Sequence, residues 1–249
     1  MSMSRYKLTV EYDGSSYVGW QRQVENSSVQ QAIESAVEKF TQQQVTLQVA
    51  GRTDAGVHAT GQVAHFDISR DYSEFRVREA LNALLRQANH RIAIINVEQV
   101  SDQFHARFSA QYRKYRYEIV NRRAPLALDQ LRAWHVISSL DEVAMQQAAD
   151  QLCGHHDFSS FRASECQASS PFKTLDKLQV VRECDRILLH VRSRSFLHNQ
   201  VRIMVGSLVE VGRGKWSLED FIAVRNAKDR TKAGPTAPAH GLYLVEVGY

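Results

Sequence analysis

The stretch from Ala50 to Ala59 combines residue types and spacing that suit catalysis. It reads AGRTDAGVHA, so a single carboxylate, Asp54, stands in a short polar loop between Gly51 and Gly56. Glycine permits backbone angles and close approaches that other residues resist, and a loop of this kind can hold one carboxylate in a fixed position. A fixed carboxylate can act as a nucleophile or stabilise a developing positive charge. From these residues alone, a turn in which Asp54 caps backbone amides is the simpler interpretation.

Basic and aromatic side chains are interleaved in a second stretch, from residue 107 to residue 123. Its basic residues are Arg107, Arg113, Lys114, Arg116, Arg122 and Arg123, and Phe108, Tyr112, Tyr115 and Tyr117 lie among them. A splayed-out RNA strand needs cations for its phosphates and rings on which its bases can stack. The formal net charge of +4 favours a polyanionic partner in the same way. A solvated basic strand with core tyrosines explains the stretch equally well, so both interpretations stay open here.

The elements that position these residues are predicted from hydrophobic periodicity. Alternation, β-branched residues and turn signals predict strands at residues 5–12, 45–50, 62–68, 92–100, 113–120, 175–182, 187–193 and 242–247. Helical spacing predicts helices at residues 28–40, 74–87, 139–152, 198–211 and 218–227. Ser28 and Ser139 stand where helix-capping residues are expected. Strands mixed with helices in both halves predict an α+β fold.

Composition limits the class of protein. No apolar run is long enough to span a membrane, and the N-terminal MSMSRYKLTV lacks the apolar segment of a secretory signal. We therefore expect a cytoplasmic protein with no membrane partner. Cys153, Cys166 and Cys184 form no C-x-x-C pair, which predicts free thiols rather than a disulfide framework or a zinc site. The histidines show no metal-ligand spacing, so no metal is expected.

The Asp54 stretch resembles the signature of the TruA-type tRNA pseudouridine synthases, and the resemblance extends over nearly the whole chain. Similar segments occur in family order: EYDGSSYVGWQRQ at 11–23, GQVAHF at 61–66, FHARFSA at 104–110, RKYRYEI at 113–119, DFSSFRA at 157–163, FLHNQVRIMVGSLVEVG at 196–212, AKDR at 227–230 and GLYLVEV at 241–247. A single ten-residue match is compatible with chance, whereas collinear matches across both halves are not.

The resemblance implies a pseudouridine-synthase fold, in which two similar α/β halves carry antiparallel sheets that meet at a central cleft. We expect an N-terminal domain at residues 1–104 with the Asp54 loop. A C-terminal domain at residues 105–249 would carry the Tyr115 strand and the Arg202 helix. Members of the family need no cofactor and act as homodimers on tRNA, and their target uridines are at positions 38, 39 and 40 of the anticodon stem-loop.

The resemblance also implies roles for four residues. Asp54 matches the family's essential nucleophile, in a reaction that detaches uracil from its ribose, rotates it and rejoins it through carbon. Arg52 matches an arginine that enters the RNA where the target nucleotide has left the stack. Tyr115, the first tyrosine of Tyr-x-Tyr, is expected to stack on the uracil, and Arg202 is expected to pair with the catalytic aspartate. Attack at the sugar, attack at the base and a glycal intermediate all stay open.

Two further segments are expected to contact tRNA by analogy with the family. They comprise Phe104, His105, Ala106, Arg107 and Phe108, and then Glu165, Cys166, Gln167, Ala168 and Ser169. The second segment departs from the family pattern, because Ser169, Ser170 and Lys173 stand where relatives often carry more arginine. The departure concerns the strength of this contact and not the activity.

Two other functions are compatible with an RNA-binding chain of this kind. A non-catalytic RNA-binding or RNA-chaperone module would keep the fold without turnover, but the intact set of Asp54, Arg52, Tyr115 and Arg202 argues against it. An RNA glycosidase would release free uracil and would need a second catalytic carboxylate, which the sequence does not obviously supply.

Overall fold

The computed structural model describes residues 3–23 and 27–249. Its strands are β1 (Ser4–Tyr12), β2 (Gln48–Val49), β3 (His58–Ile68), β4 (Ile92–Val100), β5 (Tyr112–Asn121), β6 (Trp134–Val136), β7 (Gly154–Asp157), β8 (Phe172–Glu183), β9 (Arg186–Ser193) and β10 (Leu242–Gly248). Its α-helices are α1 (Val29–Thr41), α2 (Glu74–Gln87), α3 (Glu142–Asp150), α4 (Gln200–Gly212) and α5 (Leu218–Ala227). The predicted α+β fold is confirmed.

Contacts divide the chain into two compact units. The first runs up to Gln111 and also contains Tyr243–Tyr249, and the second is Tyr112–Leu242. The first unit therefore includes most of β10, the last strand of the chain. The domain boundary expected after residue 104 stays a prediction.

The sheet of the first unit has the order β4-β1-β3-β10, and β2 pairs with β3 as well. β1 lies antiparallel to both of its neighbours, whereas β10 lies parallel to β3. Alternate residues of β1, Tyr6, Leu8 and Val10, are fully buried, as the alternating pattern predicted. α2 packs on β4 and α1 packs on α2, so the helices supply apolar residues to the same core.

Two helices of the first unit begin at a serine that accepts a backbone hydrogen bond. Ser28 Oγ accepts from Gln31 N–H at 3.2 Å, which confirms the expected cap of α1. Ser73 Oγ accepts from Arg76 N–H at 3.3 Å. Such caps satisfy N–H groups that have no partner inside the helix, and they explain why the predicted and observed starts agree closely.

The second unit has a sheet of order β5-β9-β8-β7, and β6 pairs in parallel with the end of β5, at Ile119, Val120 and Asn121. β5, β9, β8 and β7 are antiparallel throughout. α3 packs on β8 and on α4. α4 is almost entirely buried, and its predicted inner residues, Val201, Val205, Leu208 and Val209, all lie in the core.

Several predicted boundaries are wrong. α3 begins at Glu142 rather than at Ser139, because Asp141 caps it: Asp141 Oδ1 accepts from Val143 N–H at 2.9 Å and from Ala144 N–H at 3.0 Å. The strand expected at 45–50 is reduced to the two residues of β2, and the short strands β6 and β7 were not predicted. Across residues 3–23 and 27–249, no helix has both the length and the hydropathy that a membrane crossing requires.

Candidate active site

Asp54 lies partly buried in the loop between β2 and β3, and its backbone is paired with a neighbouring segment. It forms an isolated antiparallel bridge with Gly19. Beside that bridge, Trp20 N–H donates to the Thr53 carbonyl at 3.1 Å, and Val57 N–H donates to the Asp54 carbonyl at 3.1 Å. Backbone hydrogen bonds therefore fix the point from which the carboxylate projects.

Two glycines that sequence reasoning missed, Gly14 and Gly19, make this close pairing possible. A Cβ on Gly19 would stand 2.5 Å from the Thr53 carbonyl oxygen, and a Cβ on Gly14 would collide with the Val57 carbonyl. Gly19 also has a φ of +107°, a conformation that other residues rarely adopt. Their signal in the sequence is the glycine pair within EYDGSSYVGW, a segment that resembles the family pattern and for which no role is predicted.

The two residues that precede Asp54, Arg52 and Thr53, differ in their burial. Thr53 is buried, and its Oγ1 shares a hydrogen bond of 2.8 Å with the Tyr12 hydroxyl. Burial raises the pKa of Tyr12 to about 12, although its hydrogen bonds with Thr53 and Gln62 act the other way. Tyr12 is therefore a neutral hydroxyl beneath the loop. Arg52 is exposed, so the loop presents a guanidinium and a carboxylate two residues apart above a buried polar anchor.

β5 carries two tyrosines on one face, and their surroundings differ. Tyr117 is fully buried, and its hydroxyl donates to the Pro238 carbonyl at 2.7 Å. Its ring also occupies the space in which a side chain at Gly241 would begin. Tyr115 is only partly buried, and its ring meets that of Phe196 edge to face with centroids 5.1 Å apart. Tyr117 is thus a core residue, and Tyr115 keeps part of its surface accessible.

Arg202 extends from the first turn of α4 and is partly buried. Its Nε donates to the Ala237 carbonyl at 2.8 Å, and its Nη1 donates to Asn199 Oδ1 at 2.8 Å. Burial raises the pKa of Tyr117, while the charge of Arg202 acts in the opposite direction. The guanidinium therefore lies within electrostatic reach of that hydroxyl, and two hydrogen bonds hold its orientation.

The predicted tRNA-contact segment 104–108 follows β4 and is anchored by imidazole nitrogens. Ala106 N–H donates to His65 Nδ1 at 3.2 Å, and Arg107 N–H donates to His105 Nδ1 at 3.1 Å. Burial, with help from nearby positive charges, lowers the pKa of His65 to about 4. His65 is therefore neutral at pH 7 and can accept the hydrogen bond.

The histidines near the Asp54 loop have structural partners. His58, the first residue of β3, accepts from Gly14 N–H at Nδ1 over 3.0 Å and stacks on Tyr243 with centroids 4.7 Å apart. The same nitrogen lies 3.3 Å from Asp13 Oδ1, but a nitrogen that accepts from Gly14 carries no proton for that carboxylate. Within the described ranges, no group of three His, Cys, Asp or Glu side chains is arranged to hold a metal ion.

The predicted tRNA-contact segment 165–169 is held in part by one arginine. Arg162 Nη2 donates to the carbonyl of Cys166 at 2.7 Å and to that of Ala168 at 2.6 Å. Cys166 is buried, and its Sγ accepts from His198 N–H at 3.4 Å. The exposed residues of the segment are Glu165, Gln167 and Ser169. Polar side chains are therefore displayed on a turn with a buried centre.

The predicted site residues divide between the two units. Asp54, Arg52 and segment 104–108 belong to the first unit, and Tyr115, Arg202 and segment 165–169 belong to the second. Each unit thus contains predicted reacting or substrate-contacting residues and a segment with exposed side chains.

Comparison with known proteins gives one consistent result. The family model described as tRNA pseudouridine synthase matches residues 8–109 and 148–249. The chain is 57% identical over 247 residues to the tRNA pseudouridine synthase A of Brucella ovis, and the match covers 99% of this chain and 98% of that protein. The proteins of the same name from Brucella canis and Brucella suis match with the same identity and coverage. Asp54 lies in the first matched range of the family model and Arg202 in the second.

Proposed function

This chain belongs to the tRNA pseudouridine synthase family, and we propose that it isomerises uridine to pseudouridine at positions 38, 39 and 40 of the anticodon stem-loop, with Asp54 as the nucleophile. The observation that carries the proposal is the loop of Asp54, whose backbone is bridged to Gly19. A reacting group that is already in position when the substrate binds loses little entropy on the way to the transition state.

The proposed reaction exchanges one bond to the ribose for another. The bond between C1′ and N1 of uracil breaks, the detached base turns, and a bond forms between C1′ and C5. The proton on C5 leaves and N1 gains a proton, so atoms and electrons balance without a further reactant. A carboxylate suits this sequence because it can add covalently or stabilise a positive sugar while the base turns.

Arg52 and Tyr115 are proposed to handle the target nucleotide. A base inside an RNA stem has to leave its stack before its glycosidic bond is accessible. The exposed guanidinium of Arg52 is a planar cation that fits the gap left behind. Tyr115 stacks on the extruded uracil, and its edge-to-face contact with Phe196 supports this role because the contact restricts rotation of the ring.

Arg202 is proposed as the cation that keeps Asp54 ionised, since a nearby positive charge favours the charged form of a carboxylate. The hydrogen bonds from its Nε and Nη1 support the role because they orient the guanidinium before substrate binds. The pairing stays a prediction that a double-mutant cycle tests. If Asp54 and Arg202 act together, Arg202→Gln, which removes the charge, should slow an enzyme with an intact aspartate and have little further effect on the residual rate of Asp54→Asn.

We also propose that segments 104–108 and 165–169 contact tRNA, that the enzyme acts as a homodimer, and that it works in the cytoplasm, where its substrate is found. The exposed side chains of both segments support the first statement. Sedimentation of the protein with and without tRNA tests the dimer. A monomeric mass for the active complex would contradict it.

Site-resolved mapping tests the function. An unmodified tRNA transcript is incubated with the protein, and pseudouridine is located by the block that a carbodiimide adduct imposes on reverse transcription. We expect stops at uridines 38, 39 and 40, and none in a matched transcript with cytidine at those positions. Stops confined to other uridines would overturn the assignment of positions. No stop at any uridine would favour a non-catalytic RNA-binding module.

A further inference from the structure

Two buried polar side chains beside the Asp54 loop have no part in the proposed reaction. Tyr12, the last residue of β1, is 3% exposed, and Gln62 of β3 is fully buried. Burying a polar group costs free energy unless it finds a hydrogen-bond partner. The partners of these two side chains therefore indicate what their burial maintains.

Both side chains form hydrogen bonds with the loop. The Tyr12 hydroxyl shares a hydrogen bond of 2.8 Å with Thr53 Oγ1. Gln62 Nε2 donates to the Gly51 carbonyl at 2.8 Å and, over a longer 3.5 Å, to the Tyr12 hydroxyl. The two loop residues that are held in this way lie one and three positions before the reacting carboxylate.

The side chains start from paired strands. β1 and β3 are antiparallel, with Val10 opposite Gln62 and Tyr12 opposite Ala59, and between these two pairs β3 has one residue more than β1. Such a bulge redirects side chains locally, and bulges are frequent beside active sites. Gln62 Oε1 accepts from the N–H of Val63 at 3.1 Å, so its amide is oriented with Nε2 toward the loop.

The loop also has a second, separate set of contacts. The Thr53 carbonyl accepts from Trp20 N–H at 3.1 Å, and Asp54 is bridged to Gly19. These contacts hold the backbone of residues 53 and 54. The Tyr12 hydroxyl adds a hold on the Thr53 side chain, and a buried network whose members all have partners specifies one arrangement.

We propose that Tyr12 is a positioning residue for Asp54. Its hydroxyl, supported by Gln62, holds Thr53 and thereby sets the point from which the next residue meets the target nucleotide. This inference rests on the proposed function, in which Asp54 is the nucleophile. A displacement of about 1 Å at a reacting group lowers the rate on the order of 10²-fold. Because Tyr12 is buried, it acts through the loop and not through RNA.

The first test removes the hydroxyl and keeps the ring. In Tyr12→Phe, the single-turnover rate of pseudouridine formation at saturating protein should fall by about tenfold to about 100-fold. The Kd for an unmodified tRNA transcript should stay that of the wild-type protein, since no RNA contact is removed. A wild-type rate in this variant, or a loss that appears only in the Kd, would overturn the proposal.

Tyr6 provides a matched control on the same strand. Its ring is fully buried, and its hydroxyl donates to the Tyr72 carbonyl and accepts from Tyr72 N–H, both at 2.8 Å. Tyr6→Phe therefore removes the same group from the same strand, but away from the Asp54 loop. We expect it to lower the urea midpoint at least as far as Tyr12→Phe does and to keep the wild-type rate. Equal losses of rate in the two variants would attribute the effect to stability and overturn the proposal.

Two substitutions at Thr53 separate its hydroxyl from its shape. Thr53→Val keeps the shape and removes the hydroxyl, so it should slow the reaction as Tyr12→Phe does. Thr53→Ser keeps the hydroxyl and should turn over faster than Thr53→Val. If the two hydroxyl groups act as one unit, the double variant Tyr12→Phe/Thr53→Val should be no slower than the slower single variant. Losses that multiply in the double variant would overturn the proposal.

The wild-type protein distinguishes the failure of this inference from that of the proposed function. Pseudouridine formation by the wild-type protein together with an unchanged rate in Tyr12→Phe would leave the function standing and remove the positioning role. No pseudouridine with the wild-type protein would overturn the function itself, and with it this inference.

Discussion

The Asp54 loop and the segment 165–169 are both short connections with proposed roles at the RNA, and they are held in different ways. The Asp54 backbone is paired directly with Gly19, at a distance that leaves no room for a side chain there. The segment 165–169 is held by the long side chain of Arg162, which donates to two carbonyls, and by hydrogen bonds of Cys166 with the Ala163 carbonyl and with His198 N–H. A group that makes and breaks bonds needs a position fixed to within about 0.5 Å, whereas a phosphate or base contact tolerates adjustment. The difference predicts that the two segments respond very differently to substitution.

The largest expected effect comes from the carboxylate itself. Asp54→Asn keeps the shape of the side chain but removes its charge and its nucleophilicity. We expect pseudouridine formation to fall by more than about 10³-fold, while the Kd for tRNA changes little because the loop backbone is unaffected. Single-turnover assays and equilibrium binding measure the two quantities. Turnover equal to that of the wild-type protein would show that Asp54 takes no part in the reaction. The Asp54 loop and the segment 165–169 would then no longer be expected to differ in function.

A substitution at Gly19 tests the backbone pairing. Gly19→Ala combines a positive φ with a Cβ 2.5 Å from the Thr53 carbonyl oxygen, and we expect it to lower the free energy of unfolding by ~2–5 kcal/mol. Gly214→Ala is the matched control, since Gly214 has a φ of +70° with nothing near its added Cβ, and it should lose only ~1 kcal/mol. Urea unfolding measures both. Equal losses would show that the pairing contributes no constraint of its own.

The segment 104–108 is anchored by His65, and this anchor predicts how the stability of the protein depends on pH. In the unfolded chain, the pKa of His65 returns to 6.5, whereas in the folded protein burial lowers it to about 4. As the pH falls below about 6.5, the unfolded state takes up the proton first, so stability is complete above that pH and declines toward pH 4, by ~3 kcal/mol in all. His65→Gln keeps an acceptor for Ala106 N–H, and its stability should therefore depend much less on pH between about 6.5 and 4. The measurement is the urea unfolding midpoint of the wild-type protein and of His65→Gln at pH 7 and at pH 4.5. An equal fall in the midpoint of the two proteins would exclude His65 as the cause of the loss of stability.

The smallest expected effect belongs to Arg162. Arg162→Ala removes the hydrogen bonds to the carbonyls of Cys166 and Ala168, which loosens the segment without touching the Asp54 loop. We expect the Kd for tRNA to rise about fivefold, equivalent to ~1 kcal/mol, and the rate at saturating tRNA to stay the same. A rate that falls as steeply as in Asp54→Asn would mean that this segment also takes part in the chemistry.

The sequence predicts those elements whose signals are local. α2 and α5 have the predicted bounds, because caps and helical periodicity are contained within the helices themselves. The start of α3 is wrong because two capping residues, Ser139 and Asp141, stand close together, and only the carboxylate lies where it can accept from the first turn. β6 and β7 were missed because such short strands exist only through their pairing with β5 and β8.

The candidate site also contains features that depend on contacts between distant parts of the sequence. The motif predicts Asp54 as the reacting group once the resemblance of the whole chain to the family is added, whereas Gly14 and Gly19 act through contacts with residues more than thirty positions away in the sequence. His65 is a comparable case, since its acceptor role depends on the backbone N–H of Ala106. Periodicity and residue type say nothing about which distant backbone a side chain or a glycine will meet.

The contact between Tyr117 and Gly241 also determines the alignment of β5. A Cβ at residue 241 would stand 2.6 Å from the Tyr117 Cζ atom, so the tip of the Tyr117 ring fits only because residue 241 has no side chain. Sliding β5 by one position along β9 would turn Lys114 and Arg116 toward the core, and sliding it by two would bring either Ile119, which has no ring, or Tyr115 to the place that Tyr117 fills. The missing methyl at residue 241 thereby leaves room for the Tyr117 ring, and in the observed alignment Tyr115 is the tyrosine that keeps part of its surface accessible.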